Sequence, residues 1–387
     1  MAKRLDIVEE KFLNTVKENN LIESGDVIVV GVSGGPDSIT LLTCLNKYKE
    51  KLNCKIIVAH INHLIRKDST EDEQFVENYC KKNNIPVFIK RAKVEEIAKK
   101  QKRGTEETGR KIRYDFFNEV LEKNNANKIA IAHNMNDNAE TMILNLIRGT
   151  GLQGLEGIRP RNNNIIRPLI NCKREEIESY CKKNNLNPRI DSTNSENIYR
   201  RNIIRNKILP SLKEINPNIV ETLSRTTKII RENNTYIKES SQEIFDKIAI
   251  VGNEEKNENL NDIKKVSKNE NEKDNQNENK KIGKIENYNK NENKKVSEKT
   301  KEHQAENKSI NTISFNLSDF NRQSKAIQSE LLVITITKLN NEFKNIESQN
   351  IEDIIKIANK NIGNKQITFN NLEFKTNKGK LYCTNIK

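Results

Sequence analysis

No apolar stretch in this chain of 387 residues approaches the roughly 20 residues that a membrane span needs, and the opening MAKRLDIVEE has no apolar signal core. A soluble cytoplasmic protein with no membrane partner is therefore expected. The six cysteines, Cys44, Cys54, Cys80, Cys172, Cys181 and Cys383, are scattered with no CxxC pair. That pattern argues against a zinc ribbon, an iron–sulfur site or a redox dithiol and leaves small core residues as their expected role. A Walker-type GxxxxGK[ST] loop is missing too, although a glycine-rich loop is present.

What is present is positive charge, a formal net of +14, which points to an anionic partner. Residues 252–311 hold 14 Lys against 13 Asp plus Glu, so nearly all of the excess lies elsewhere. Residues 161–213 alone carry 12 Lys plus Arg against 5 Asp plus Glu. A concentrated, arginine-rich block is a better nucleic-acid footprint than a diffuse lysine surplus, with a solvated basic helix face as the plainer reading.

The most informative feature follows the β-branched run Val27–Val32: Ser33-Gly34-Gly35-Pro36-Asp37-Ser38. Adjacent glycines after a strand can turn sharply and bring bare amides against an anion, while Ser33 and Ser38 add hydroxyl donors. Pro36 pre-sets a helical φ, so a helix is expected to start here with phosphate at its N-terminus. Where a Walker loop has lysine, Asp37 stands, and a carboxylate beside phosphate is repulsive unless a divalent cation bridges them. The loop therefore implies ATP and Mg²⁺; an ordinary Gly-Pro turn is the alternative.

From residue 27 to about 170 the chain alternates short apolar runs with amphipathic stretches, as a parallel βαβ sheet requires. Strands are expected at 27–32, 55–59, 87–90 and 128–132, and helices at 39–48, 70–83, 105–123 and 136–147. SGGPDS, HINH and HNMND each follow a strand, where ligands gather in such sheets, so the three are expected to converge. Helices are expected at 173–184, 199–212 and 219–248. Residues 252–311, almost wholly Asn, Lys and Glu, read as a disordered insertion. A small α+β tail resumes near residue 313, with helices at 324–339 and about 351–359 and strands near 366–369 and 381–384. The domains are thus 1–215, then 216–251 with 312–387, the insertion lying between those two parts.

In His133-Asn134-Met135-Asn136-Asp137-Asn138-Ala139-Glu140, Asp137 and Glu140 are three apart at a helix start and project from one face. With Asp37 they are expected to hold Mg²⁺, although acidic residues also favour helix N-termini for their own sake. His60 and His63 in HINH lack a third ligand in the nearby sequence, so they fit neutral hydrogen-bonding groups near the nucleotide better than zinc ligands. His133 is a candidate base if it lies near a nucleophile. Arg110, Lys111 and Arg113 in TGRKIRYDFF are placed to neutralise charge on a phosphate, or else form a solvated helix face. Arg200, Arg201, Arg205 and Lys207 in YRRNIIRNKILP put Arg201 and Arg205 four apart on one face, suited to phosphate contacts.

With HINHLIR, GRKIRYDFF, AHNMNDNAETMILNLIRGTGLQGLEGI, RPLINCKREEIESYC and IDSTNSENIYRRNIIRNKILP in order, residues 20–220 resemble the tRNA(Ile)-lysidine synthetase family of N-type ATP pyrophosphatases, the PP-loop group. The resemblance implies an adenine nucleotide alpha hydrolase-like α/β domain, followed by a helical subdomain and a small α+β C-terminal domain. It implies a ligase acting on a tRNA(Ile) with a CAU anticodon, ATP and free L-lysine. Carbon 2 of the wobble cytidine is adenylated through its oxygen, then attacked by the lysine side-chain amine, releasing AMP, and the tRNA comes to read AUA. On that reading Ser33, Gly34, Gly35, Pro36, Asp37, Ser38 and His60 bind ATP, and Asp37, Asp137 and Glu140 serve the metal. Arg113 and Arg205 stabilise phosphates, His133 is a base near the lysine amine, and Arg200, Arg201 and Lys207 contact tRNA. A homodimer is left open.

Leu64 stands where the family usually has glycine after HxNH, and Gly109 stands at an alanine-favouring helix position. Neither is expected to touch the phosphate chemistry. The additional C-terminal domain of longer members is expected to be absent. The rival readings are a tRNA thiolase of the same group, which the cysteine pattern disfavours, and a silent RNA-binding module, which the intact carboxylates disfavour.

Overall fold

The computed structural model describes residues 5–64, 69–189, 200–252, 311–340, 346–359 and 365–386. The expected insertion therefore lies outside the described residues except for its ends, Gly252 and Asn311. The chain divides into two compact units, Met1–Asn234 and Thr235–Lys387.

The first unit runs α1 (Ile7–Glu18), β1 (Val27–Gly31), α2 (Pro36–Tyr48), β2 (Lys55–Asn62), α3 (Ser69–Lys82), β3 (Val87–Arg91), α4 (Val94–Gln101), α5 (Thr105–Lys123), β4 (Lys128–Ala130) and α6 (Met135–Arg148). It continues through α7 (Leu152–Leu155), the short hairpin β5 (Arg161–Asn162) and β6 (Ile165–Ile166), α8 (Arg174–Lys183), α9 (Arg200–Ile203), a π-helical turn Ile204–Ile208, α10 (Leu209–Ile215) and α11 (Ile219–Ile248). The sheet order is β3-β2-β1-β4-β6-β5, parallel except for the β5–β6 hairpin.

Alternation along β1 builds two cores. Ile28 and Val30 face Phe12 of α1, Leu42 of α2, Val76 of α3 and Ile177 of α8, while Val29 faces Phe116, Phe117 and Val120 of α5 on the other side. This is the three-layer arrangement in which a parallel sheet is buried on both faces, and it leaves the strand C-termini open to hold a site. All six cysteines are buried, in keeping with core roles.

The boundary between the two units falls inside α11 after Asn234, because the first half of α11 is keyed to the first unit. Val220 joins the cluster of Ala139, Ile143 and Leu209, and Asn234 donates to Glu156 at 2.8 Å.

The second unit is an antiparallel sheet of β7 (Ala249–Gly252), β8 (Thr312–Asn316), β9 (Gln366–Phe369), β10 (Leu372–Asn377) and β11 (Lys380–Asn385), in the order β7-β8-β11-β10-β9. Helices Lys325–Leu339 and Ser348–Asn359 cover one face through Leu331, Leu332, Ile354 and Ile355 against Phe315, Phe374 and Leu381. Gly252 pairs with Thr312 across the β7–β8 ladder.

Candidate active site

The three polar clusters do converge. A cavity of about 500 Å³ is lined by Ser33, Asp37 and Ser38, by residues 59–64 at the end of β2, and by Arg113, Phe117, His133 and Arg205. That volume is in the range of small-molecule sites.

Local chemistry shapes its floor. Gly34 has φ +91°, a left-handed conformation that L side chains resist, and a Cβ on Gly31 would lie 2.5 Å from the Phe117 ring. Ser38 Oγ donates to Gly35 O at 3.0 Å and accepts from Ser33 N at 3.2 Å, which closes the loop on itself. Pro36 occupies the first turn of α2 as expected. No hydrogen bond among the described residues engages the amides of Gly34, Asp37 or Ser38, so they stay open at a helix N-terminus.

Asp37 is joined to α6 by Asn134, whose Nδ2 donates to Asp37 Oδ1 at 2.8 Å. Asn134 also caps α6: its Oδ1 accepts from Asp137 N and its own N–H donates to Asp137 Oδ2, both at 3.0 Å. Burial, then the Asp137 charge, pushes the Asp37 carboxyl up to about 6, against the pull of Asn134, Arg174 and Arg205.

Asp137 and Glu140 stand behind the cavity and face arginines. Arg201 Nε donates to Glu140 Oε2 at 2.8 Å and Arg205 Nε to Oε1 at 2.7 Å, while an amino nitrogen of each reaches Asp137 Oδ1 at 3.1 and 3.4 Å. Arg174 adds contacts of 3.6 and 3.7 Å to the same two carboxylates. Burial works against the Arg205 charge, but Glu140 and the two aspartates outweigh it and raise its pKa. Pro210 helps to set this geometry: it has no N–H for residue 206 and its ring crowds that carbonyl, so the preceding turn widens into the π-helical segment carrying Arg205.

The expected site residues have these partners. Glu140 is fully buried with both oxygens engaged by guanidinium. No group of three or more His, Cys, Asp and Glu side chains among the described residues is spaced to hold a metal. Arg201 is held in the internal ion pair with Glu140, whereas Arg200 and Lys207 are exposed. His133 Nδ1 accepts from Arg167 Nε at 3.0 Å, and burial with surrounding arginines holds its pKa down to about 3. Its Nε2 therefore carries the proton and is a donor.

Arg113 is one of the cavity's cations. It lines the cavity, has no carboxylate partner among the described residues, and meets only His63 Nε2 at 3.4 Å. Burial depresses its pKa. Arg110 and Lys111 instead point away, to Tyr114 and Asp115. Leu64 lines the cavity and holds φ +50° where glycine would be unstrained.

Sequence reasoning missed Asn134, Arg167 and Arg174. Asn134 has a legible signal, since Asn-x-x-Asp before an apolar run resembles a capping box. The two arginines lie in RPLINCKREE and have no local signal.

A family model described as "PP-loop domain" matches residues 5–212. A tRNA(Ile)-lysidine synthase of Caldanaerobacter subterraneus subsp. tengcongensis is 47% identical over 248 residues, 64% of this chain and 53% of that protein. One from Clostridium perfringens is 45% identical over 249 residues, again 64% and 53%. The chain spans about half the length of the curated relatives it matches. Among solved structures, the U34-tRNA thiolase NcsA from Methanococcus maripaludis is similar at 22% identity and a TM-score of 0.49, covering 58% of this chain and 78% of that one.

Proposed function

The chain belongs to the PP-loop family, and from that premise we propose that it is a tRNA(Ile)-lysidine synthetase, a cytoplasmic ligase. In its first step, the carbon 2 oxygen of the wobble cytidine in a CAU-anticodon tRNA(Ile) attacks the α phosphate of ATP, and pyrophosphate leaves. In its second, the side-chain amine of L-lysine attacks carbon 2 and AMP leaves.

The observation that carries this reading is an anion cradle with unmet donors sharing one cavity with Arg113, a cation with no carboxylate partner among the described residues. The open amides of the 33–38 loop suit the pyrophosphate portion. Arg113 and Arg205 suit the charge that builds on the α phosphate during displacement. Asp37, which has no cation partner among the described residues, would hold Mg²⁺, since burial and repulsion from Asp137 raise its pKa and a divalent cation would relieve both. Bound there, the ion would neutralise phosphate charge. His133 Nε2–H is a neutral donor toward a developing negative oxygen. The lysine amine must be neutral to attack, which a desolvated pocket promotes. Arg200 and Lys207, with residues 216–251 and 312–387, are assigned to holding the tRNA.

Mass analysis of tRNA nucleosides tests this directly, after incubation of the full chain with unmodified tRNA, ATP, Mg²⁺ and lysine. Lysidine should form with AMP release that requires both lysine and tRNA. Sulfur incorporation, or no AMP, would overturn the reading.

A further inference from the structure

Arg189 meets the phosphate loop in two ways that the proposed chemistry does not use. Its backbone N–H donates to Gly34 O at 3.0 Å. Across a trans peptide the carbonyl and the next N–H point opposite ways, so this bond turns the Gly35 N–H toward Ser33 Oγ, 3.4 Å away, a hydroxyl that lines the cavity. Its guanidinium donates to Asp72 Oδ1 at 3.0 Å and to Glu71 Oε2 at 2.6 Å, both in the first turn of α3. That turn lies against the same glycine, since a Cβ on Gly34 would meet Asp72 O at 3.8 Å and the Val76 side chain at 3.6 Å. Arg189 therefore brackets Gly34, whose positive φ shapes the loop.

Asp72 gives the bracket a second meaning. Its side chain is 14% exposed and lines the cavity together with Ser33, Asp37 and Ser38. A carboxylate so placed repels a polyphosphate, and more strongly in a partly buried wall than in open water. The Mg²⁺ assigned to Asp37 answers one such charge. Arg189 answers the other from outside, because it is not among the residues that line the cavity and takes none of the space a phosphate would fill.

We propose that Arg189 is a positioning residue for the phosphate loop, its guanidinium cancelling the charge of Asp72 so that the cavity accepts a polyanion. The inference rests on the ATP reading above. It makes Arg189 a determinant of ATP affinity and not of the chemical step.

Equilibrium binding of ATP with Mg²⁺ to the full chain, beside kcat and KM for lysidine formation, tests this as a charge cycle. Arg189→Met keeps the backbone N–H and most of the side-chain length, and it should bind ATP about tenfold weaker with kcat at saturating ATP within about threefold of the parent. Asp72→Asn should bind ATP at least as tightly as the parent, and adding it to Arg189→Met should restore affinity to within about threefold. Arg189→Lys keeps the charge and should also stay within about threefold. A tether gives the opposite pattern: Asp72→Asn alone would weaken ATP binding as Arg189→Met does, and the double variant would stay weak. That pattern, or an affinity indifferent to Arg189→Met, would overturn the inference. If Arg189→Met does not fold, Asp72→Asn decides, equal or tighter binding supporting the inference and weaker binding overturning it. Failure of the unsubstituted chain to bind ATP would overturn the functional reading, and this inference with it.

Discussion

The two ends of the cavity region are built on opposite principles. Behind α6, every charge is matched: Asp137 and Glu140 are shared among Arg174, Arg201 and Arg205. At the loop, less is matched. Among the described residues no hydrogen bond engages the amides of Gly34, Asp37 and Ser38 and no carboxylate pairs with Arg113, while Asp37 is pushed toward its neutral form and Leu64 sits in a strained backbone conformation. The matched end reads as scaffold, and the unmatched end as the place a polyanion completes. Strain and unmet polarity gather where a ligand is to bind because the free protein has no other use for them.

The largest effect should come from breaking the matched end. Glu140→Ala removes the buried carboxylate shared by Arg201 and Arg205, and a loss of about 3–5 kcal/mol is expected in denaturant unfolding. A loss below about 1 kcal/mol would remove the distinction between the ends. Arg113→Ala should behave in the opposite way, with unfolding unchanged or slightly improved and kcat down about 10²–10³-fold.

Asp37 sharpens the contrast through pH. Its carboxyl is raised from 3.8 to about 6 in the folded, ligand-free state, so its contribution to stability is full below the unfolded value and is lost as pH rises through the folded one. Asp37→Asn should therefore match the parent protein near pH 4 and exceed it by about 1–3 kcal/mol near pH 8, while losing activity. A gain independent of pH would show that Asp37 is not held in this way.

Two smaller substitutions probe the rim. Leu64→Gly should raise stability by up to about 1 kcal/mol, because relief of the left-handed backbone outweighs the added chain freedom. Gly109→Ala, whose Cβ would meet Val94 at 3.5 Å and His63 at 3.8 Å in ordinary contact, should gain about 0.5–1 kcal/mol within α5. A loss at Gly109 would mean that His63 is wedged more tightly than its distances indicate.

Periodicity carries most of the first unit. The run 27–32 and the stretch 105–123 read directly as β1 and α5, because a buried parallel strand and an amphipathic helix each write their burial into the local sequence. The stripe Val8, Phe12 and Val16 of α1 is equally legible, but the expected order began only at residue 27. The two-residue strands β5 and β6 have no period to show. The site divides in the same way. Ser33–Ser38 advertise their role through backbone chemistry, whereas the tying of Arg201 and Arg205 to Glu140 spans more than 60 residues of chain and follows from how α6 meets the 200–215 segment. Histidine roles were the least legible, since the engagement of His133 by Arg167, and of His63 by Arg113, depends on which ring nitrogen a distant group takes.

The pairing of Gly252 with Thr312 bears on how fast the second unit can fold. Pairing strands so far apart in sequence requires closing a long stretch of chain, which makes that search slow. Joining the two strands through a two-residue Asn-Gly turn would turn this late, distant encounter into a local hairpin, and refolding of the second unit should quicken while the native sheet order stays the same.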